Sequence, residues 1–206
     1  MIEPLVYTGG MAQTNGYLFE APEGWVLVDA PEGIRPWLEA RAIKPRLLLL
    51  THQHYDHVLD AAAVCNWSGC AVWAYDALGT DLTLERFLQA AGLDVAVEPF
   101  VVERCLGGGT DTDIAGWPCA IRHVPGHARD ALTFHFPDLQ TVFSGDTLFA
   151  GGVGRTDLPG GSWPQLLDGI RRHLLVLPDE TVVYPGHGDP STIGSEKSGN
   201  PFLRCG

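Results

Sequence analysis

Positive charge is scarce in this chain. Against 25 Asp and Glu there are only 13 Lys and Arg, a formal charge of −12 over 206 residues. No basic run exists that could neutralise a phosphate backbone, which argues against nucleic acid as a partner and disfavours an anionic membrane surface. Long apolar runs are missing too. Stretches such as Leu47 to Leu50 fall far short of the roughly 20 residues that a membrane-spanning helix needs, so no membrane association is expected. The segment Met1-Ile2-Glu3-Pro4 has neither the basic nor the apolar part of a secretory signal, and the expected compartment is the cytoplasm. Five cysteines (Cys65, Cys70, Cys105, Cys119, Cys205) form an odd set with no C-x-x-C pair, which fits buried or incidental thiols better than a disulfide frame. No Gly-x-Ser-x-Gly elbow is present either, so a serine nucleophile of that kind is not expected.

With 45% hydrophobic and 18% charged residues, the chain reads as one globular domain over residues 1–206, undivided by any linker. Tyr17–Phe19 and Trp25–Asp29 flank the turn-rich Ala21-Pro22-Glu23-Gly24 and predict a hairpin. A helix is expected from Pro31 and Glu32 to about Ala42, with Ile34, Trp37, Leu38 and Ala42 on one face. The continuous run Arg46–Leu50 predicts a strand buried on both faces, of the parallel type. Further helices are expected over Val58–Trp67, Leu82–Ala91 and Trp163–Leu175, and further strands over Ala71–Tyr75 and Thr181–Tyr184. Gly107-Gly108-Gly109 reads as loop, with Asp111 and Asp113 as loop polarity beside it. Leu132–Phe136 and Thr141–Ser144, joined across Pro137–Gln140, predict a second hairpin. In both halves a hairpin's second strand runs into aspartate, at Asp29 and at Asp146, which suggests an internal duplication. Two mixed sheets would then face each other with helices outside.

Histidine is where the chain is rich. Five of its eight histidines fall in Thr51-His52-Gln53-His54-Tyr55-Asp56-His57, Gly126-His127 and Gly186-His187-Gly188, with Asp146 in Ser144-Gly145-Asp146. In an extended segment leaving a strand, residues two apart point the same way, so His52 and His54 would present their imidazoles to one point. Asp56 and His57 follow as the chain turns into a helix and would face a second point nearby. A lone Gly-His or Gly-Asp is far more often a turn than a ligand, but beside the first segment His127, Asp146 and His187 become candidates as well. Imidazole and carboxylate suit borderline divalent metals, and seven such ligands fit two ions that share a carboxylate. Zinc is the first expectation, with iron or manganese as alternatives. His123, His135 and His173 lack such context, and Asp29 is expected to orient a ligand by hydrogen bonding.

These segments, in this order and over nearly the whole chain, resemble the metallo-β-lactamase-fold hydrolase superfamily. Within it, Ser144-Gly145-Asp146-Thr147, Gly154-Arg155-Thr156-Asp157, Tyr184-Pro185-Gly186-His187-Gly188 and Thr192–Lys197 look like the glyoxalase II group, the hydroxyacylglutathione hydrolases. The resemblance implies an α/β fold, an αβ/βα four-layer sandwich of two mixed sheets flanked by helices. It implies that His52, His54 and His127 hold one metal, that Asp56, His57 and His187 hold the other, and that Asp146 bridges them. The implied reaction is attack of a metal-bridging hydroxide on a small-molecule thioester or ester, with Asp56 and Asp146 as the catalytic carboxylates. Two departures bear on the substrate. The helical C-terminal domain of full-length glyoxalase II, which supplies glutathione contacts, is not expected in a chain that stops at Gly206. The substrate-binding lysine and tyrosine of the family fall at Arg155 and Asp157, so that Arg155 could meet a substrate carboxylate or simply brace its loop. A persulfide dioxygenase-like oxidoreductase, with one iron on His52, His127 and Asp146, is the alternative, as is a lactonase.

Overall fold

The computed structural model describes residues 3–203, so Cys205 lies outside the described residues. The N-terminal half runs β1 (Leu5–Gly9), β2 (Thr14–Ala21), β3 (Gly24–Val28), α1 (Ile34–Glu39), β4 (Leu47–Leu49), α2 (Tyr55–Val58), α3 (Ala61–Ser68), β5 (Ala71–Ala74), α4 (Glu85–Ala90) and β6 (Arg104–Cys105). The C-terminal half continues with β7 (Asp111–Ile114), β8 (Trp117–His123), β9 (Leu132–Phe136), β10 (Thr141–Gly145), β11 (Leu148–Phe149), β12 (Gly152–Val153), α5 (Trp163–Gly169), β13 (Val182–Pro185), β14 (Ser191–Thr192) and α6 (Ile193–Gly199).

The strands form two six-stranded mixed sheets, β1-β2-β3-β4-β5-β6 and β14-β13-β10-β9-β8-β7, with β11 and β12 as a separate ribbon. Three apolar cores follow from the period-2 alternation of the strands. Tyr17, Phe19, Val26, Val28 and Leu49 point between the sheets to meet Phe134, Phe136 and Phe143. Their neighbours Leu18, Leu27, Leu48 and Leu50 point outward to Ile34, Leu38 and Val64 of the helices. On the other sheet Val142 and Val183 face out toward Leu166, Ile170 and Ile193. Helix, sheet, sheet, helix is the layering that buries these three sets of apolar residues, and it is the four-layer sandwich that the resemblance implied. The Phe19 ring stacks on Phe143 at 5.5 Å between the sheets, and Phe143 on Tyr184 at 5.5 Å.

The two halves repeat one topology. In the first, the antiparallel β2–β3 hairpin leads through α1 to β4, which lies parallel to β3. In the second, the antiparallel β9–β10 hairpin leads through α5 to β13, parallel to β10. Asp29 follows β3 as Asp146 follows β10, and the candidate ligands His52 and His187 follow β4 and β13.

Several elements differ from the sequence expectation. The helix expected from Pro31 to Ala42 spans only Ile34–Glu39, because Gly33 before it (φ 89°) and Ala42 after it (φ 54°) are left-handed. The helix expected over Val58–Trp67 breaks at Leu59-Asp60 into α2 and α3. There the Asp60 carboxylate accepts from the Gly33 and Arg35 N–H groups, both at 3.0 Å, and so caps the N-terminal end of α1. Leu84 in αL geometry (φ 61°) delays α4 to Glu85. The helix expected through Leu175 changes at Ile170 to a wider π-type turn that runs to Leu174. Asp111 and Asp113, expected in a loop, lie on β7, whose pairing with β8 satisfies their backbone groups. Among the described residues no helix is long and apolar enough to cross a membrane.

Candidate metal centre

All seven sequence-derived candidate ligands meet at one edge of the sandwich. His52 and His54 leave β4, Asp56 and His57 lie on α2, His127 follows β8, Asp146 follows β10 and His187 follows β13. Their ligand atoms fall into three overlapping groups, each within 4.8 Å: His52, His54 and His127; His52, His57 and Asp146; Asp56, His57 and His187. Asp146 is the hub. Its carboxylate oxygens stand 3.3 Å from His57 Nε2, 3.4 Å from His127 Nε2 and 3.3 Å from His187 Nε2. Asp56 Oδ2 stands 3.6 Å from His57 Nε2 and 3.4 Å from His187 Nε2. Two donors bound tetrahedrally to one ion at ~2.1 Å lie roughly 3.4 Å apart, so these are the separations of ligands around a cation.

The backbone was shaped to let them approach. A Cβ at Gly186 would lie 2.1 Å from Asp146 Oδ1 and 2.7 Å from the His57 ring. The His187 loop is held from the opposite sheet: Asn15 N–H donates to the Gly186 carbonyl at 2.8 Å and Tyr17 O–H to the Pro185 carbonyl at 2.6 Å.

Hydrogen bonds assign the imidazole tautomers. His57 Nδ1 donates to Asp29 Oδ2 at 2.8 Å, His127 Nδ1 to the Arg155 carbonyl at 2.9 Å and His187 Nδ1 to the Ala12 carbonyl at 3.1 Å. Because Thr51 Oγ1 gives its own proton to Asp29 at 2.7 Å, it can only accept from His52 Nδ1, 3.1 Å away. Each of these four rings is left with an Nε2 lone pair turned into the cluster. His54 Nδ1 meets His127 Nε2 at 2.9 Å. Three of these inward atoms, His52 Nε2, His57 Nε2 and Asp146 Oδ1, are buried without any hydrogen-bond partner. A buried, unpaired acceptor costs about 1–3 kcal/mol, and three converging ones match the donor set of a bound cation.

Protonation follows burial and charge. Burial pushes His52 and His127 down and His54 to about 3, which keeps these imidazoles neutral and able to donate lone pairs. At His57 burial opposes the charge, but the carboxylates of Asp56, Asp29 and Asp146 outweigh it and raise the ring well above its ordinary value. At His187 burial is likewise outweighed, by hydrogen bonds to Asp146 and Asp56, and the ring rises to about 10. A divalent cation would take the place of those protons.

Sequence reasoning named Asp29 as an orienting residue, and it is one: 1% exposed, it accepts from Thr51 N, Thr51 Oγ1 and His57 Nδ1. It did not find Thr14, whose hydroxyl donates to Asp56 Oδ2 at 2.7 Å, or the carbonyls of Ala12 and Arg155. No side-chain signal could mark a carbonyl. The Arg155 guanidinium is engaged bidentately by Asp157, at 2.7 Å for both bonds, on an exposed loop. Asp60 makes no contact with the cluster, and the His123 ring stacks on Tyr75 at 4.4 Å. Two clefts flank the cluster, one of about 310 Å³ beside His54 and one of about 240 Å³ beside Asp56.

Comparison with known proteins agrees with this geometry. A profile of the metallo-beta-lactamase superfamily matches residues 9–187. An uncharacterized protein of Mycobacterium tuberculosis is 37% identical over 214 residues, covering 96% of each chain. The hydroxyacylglutathione hydrolase GloC of Haemophilus influenzae is 36% identical over 169 residues, covering 81% of this chain and 79% of its own. Among solved structures, TTHA1623 in a di-iron-bound form superposes with a TM-score of 0.83 at 38% identity, over 97% of this chain and all of that one. The BLEG-1 B3 metallo-beta-lactamase does so at 0.84 and 29% identity, over 99% of this chain and all of that one. With fold, ligand geometry and sequence in agreement, the chain belongs to the metallo-beta-lactamase superfamily.

Proposed function

We propose that this metal-dependent hydrolase is a binuclear enzyme that cleaves a thioester of the hydroxyacylglutathione kind, or a related acyl ester. The observation that carries the reading is the convergence of the partnerless buried His52 Nε2, His57 Nε2 and Asp146 Oδ1 between two ligand triads. His52, His54 and His127 would hold one ion, Asp56, His57 and His187 the second, with Asp146 reaching both. Two such ions supply a water of near-neutral pKa and a Lewis acid for the carbonyl. Zinc, iron and manganese all suit five imidazoles and two carboxylates, and the di-iron form of TTHA1623 supports iron beside zinc.

The protein's own groups do the rest. Asp29, through His57 and Thr51, and the Arg155 carbonyl, through His127, lock the imidazoles in the tautomer that presents Nε2. Thr14 holds Asp56 so that one oxygen faces His187. The likeness to GloC supports a thioester as substrate.

Elemental analysis of protein purified without chelator, paired with hydrolysis of S-D-lactoylglutathione and a simple thioester, tests the reading. Two metals per chain and thioester turnover are expected. About one iron per chain with no hydrolysis would replace it by oxygen chemistry.

A further inference from the structure

We propose that the cleft beside His54 is an anion-binding site, in which Arg86 and Arg129 hold a carboxylate of the substrate while its scissile carbonyl lies at the metal centre. The inference rests on the hydrolase reading above and names the class of substrate it takes, a thioester or ester that carries a carboxylate.

Charge pairing points to these two residues. Among the described residues, six of the basic side chains make ion pairs with acids. Three more lie over tryptophan rings. Arg171 also has a partner. Arg86 and Arg129 are the described cations whose guanidinium groups make no ion pair, hydrogen bond or ring contact. Both line the same cleft as His54. In a chain of −12 net charge, the fold has left two cations outside any ion pair in a cleft that His54 also lines. Asp81 and Asp130 share the cleft but lie beyond ion-pair distance of either arginine; Asp130 feels the charge of Arg129 and turns Oδ2 to the Gln53 N–H at 2.9 Å.

The surroundings orient the ligand. Leu82, Leu84 and Phe87 supply apolar wall for its methylene groups. The second cleft, beside Asp56, carries Glu32 and Asp94 and no cation, so a carboxylate is repelled there and drawn to the Arg86 side. Arg155, the cation that the sequence offered for this task, is already taken by Asp157. Arginine's planar fork suits a carboxylate better than a point charge would.

The test uses the metal-loaded protein and two thioesters that differ in one group, S-acetyl-3-mercaptopropionate and S-acetyl-3-mercaptopropionamide. S-methylglutathione, which bears carboxylates but no scissile bond, serves as a calorimetric probe independent of turnover. The wild type is expected to favour the carboxylate by about tenfold or more in kcat/KM, chiefly through KM. Arg86→Ala with Arg129→Ala should bring that ratio near one and weaken S-methylglutathione by a similar factor, with metal content unchanged. Arg35→Ala with Arg172→Ala removes equal charge outside the cleft and should keep the preference. Equal use of both thioesters by the wild type, or a preference that survives in the cleft variant, overturns the proposal. If the wild type cleaves neither thioester, the hydrolase reading fails by itself. The anion site then stands only if S-methylglutathione binds and the cleft variant loses it.

Discussion

Replacing Asp29 by Asn changes one atom of a residue that touches no metal, yet it should empty half of the site. Asp29 sits in the left-handed region at φ 59°, where Asn is tolerated as well as Asp, so the backbone stays as it is. The carboxylate accepts three hydrogen bonds: Thr51 N at 2.8 Å on Oδ1, and Thr51 Oγ1 at 2.7 Å and His57 Nδ1 at 2.8 Å on Oδ2. An amide has a single acceptor oxygen. With that oxygen toward Thr51 N–H, its NH₂ faces His57 Nδ1, and the ring relieves the donor–donor contact by moving its proton to Nε2. The lone pair that should bind a metal between Asp56 and His187 is then gone. Loss of such an orienting partner lowers metal affinity by about 10–100-fold, or roughly 1.4–2.7 kcal/mol. Chelator competition followed by elemental analysis reads it: Asp29→Asn should retain metal at the His52, His54 and His127 group and lose it first at the Asp56, His57 and His187 group. Nitrogen NMR of the His57 ring should show Nε2–H. Two metals held with wild-type affinity in the variant would refute the tautomer argument.

Asp146→Ala removes the carboxylate that stands within 3.4 Å of three imidazoles, so both ions and nearly all hydrolytic activity should be lost together; full activity with full metal content would remove Asp146 from the bridging role. Gly186→Ala puts a methyl 2.1 Å from Asp146 Oδ1, and metal content should fall while far-UV circular dichroism stays native. Zinc binding to metal-free protein at pH 7 should release protons, because carboxylates raise His57 well above its ordinary value and His187 to about 10; calorimetry in buffers of different ionisation enthalpy counts them, and no release contradicts the raised protonation of these two rings. Asp130 is raised by burial from 3.8 to about 6. A raised carboxyl supports the fold fully below 3.8 and loses that support as pH rises to about 6, which amounts to about 3 kcal/mol at neutral pH. Asp130→Asn keeps an acceptor for the Gln53 N–H, and its denaturation midpoint should lack the decline between pH 4 and 6 that the wild type shows.

Local pattern was enough to pick out the residues that the fold brings together as candidate ligands. In His-x-His-x-Asp-His after an apolar strand, alternation in an extended chain aims His52 and His54 together whatever surrounds them. The hairpins β2–β3 and β9–β10 and the double-sided burial of β4 were equally local, being written in period-2 hydrophobicity and turn residues. Helix ends were not. α1 begins only at Ile34 and α2 breaks from α3 where Asp60 reaches 25 and 27 residues back to cap the Arg35 and Gly33 N–H groups, a contact that exists only once α1 has packed.

What orients the candidate ligands belongs to tertiary structure alone. Asp29 to His57 spans 28 residues, Thr14 to Asp56 spans 42, and the carbonyls of Ala12 and Arg155 reach rings 175 and 28 residues away. Carbonyls carry no side-chain signature, and which one faces a given imidazole depends on how the two sheets pack. The residues that can bind a metal were set by the order of amino acids. The tautomers, the hub position of Asp146 and the cleft shared by Arg86 and Arg129 arose only when two distant sheet edges met.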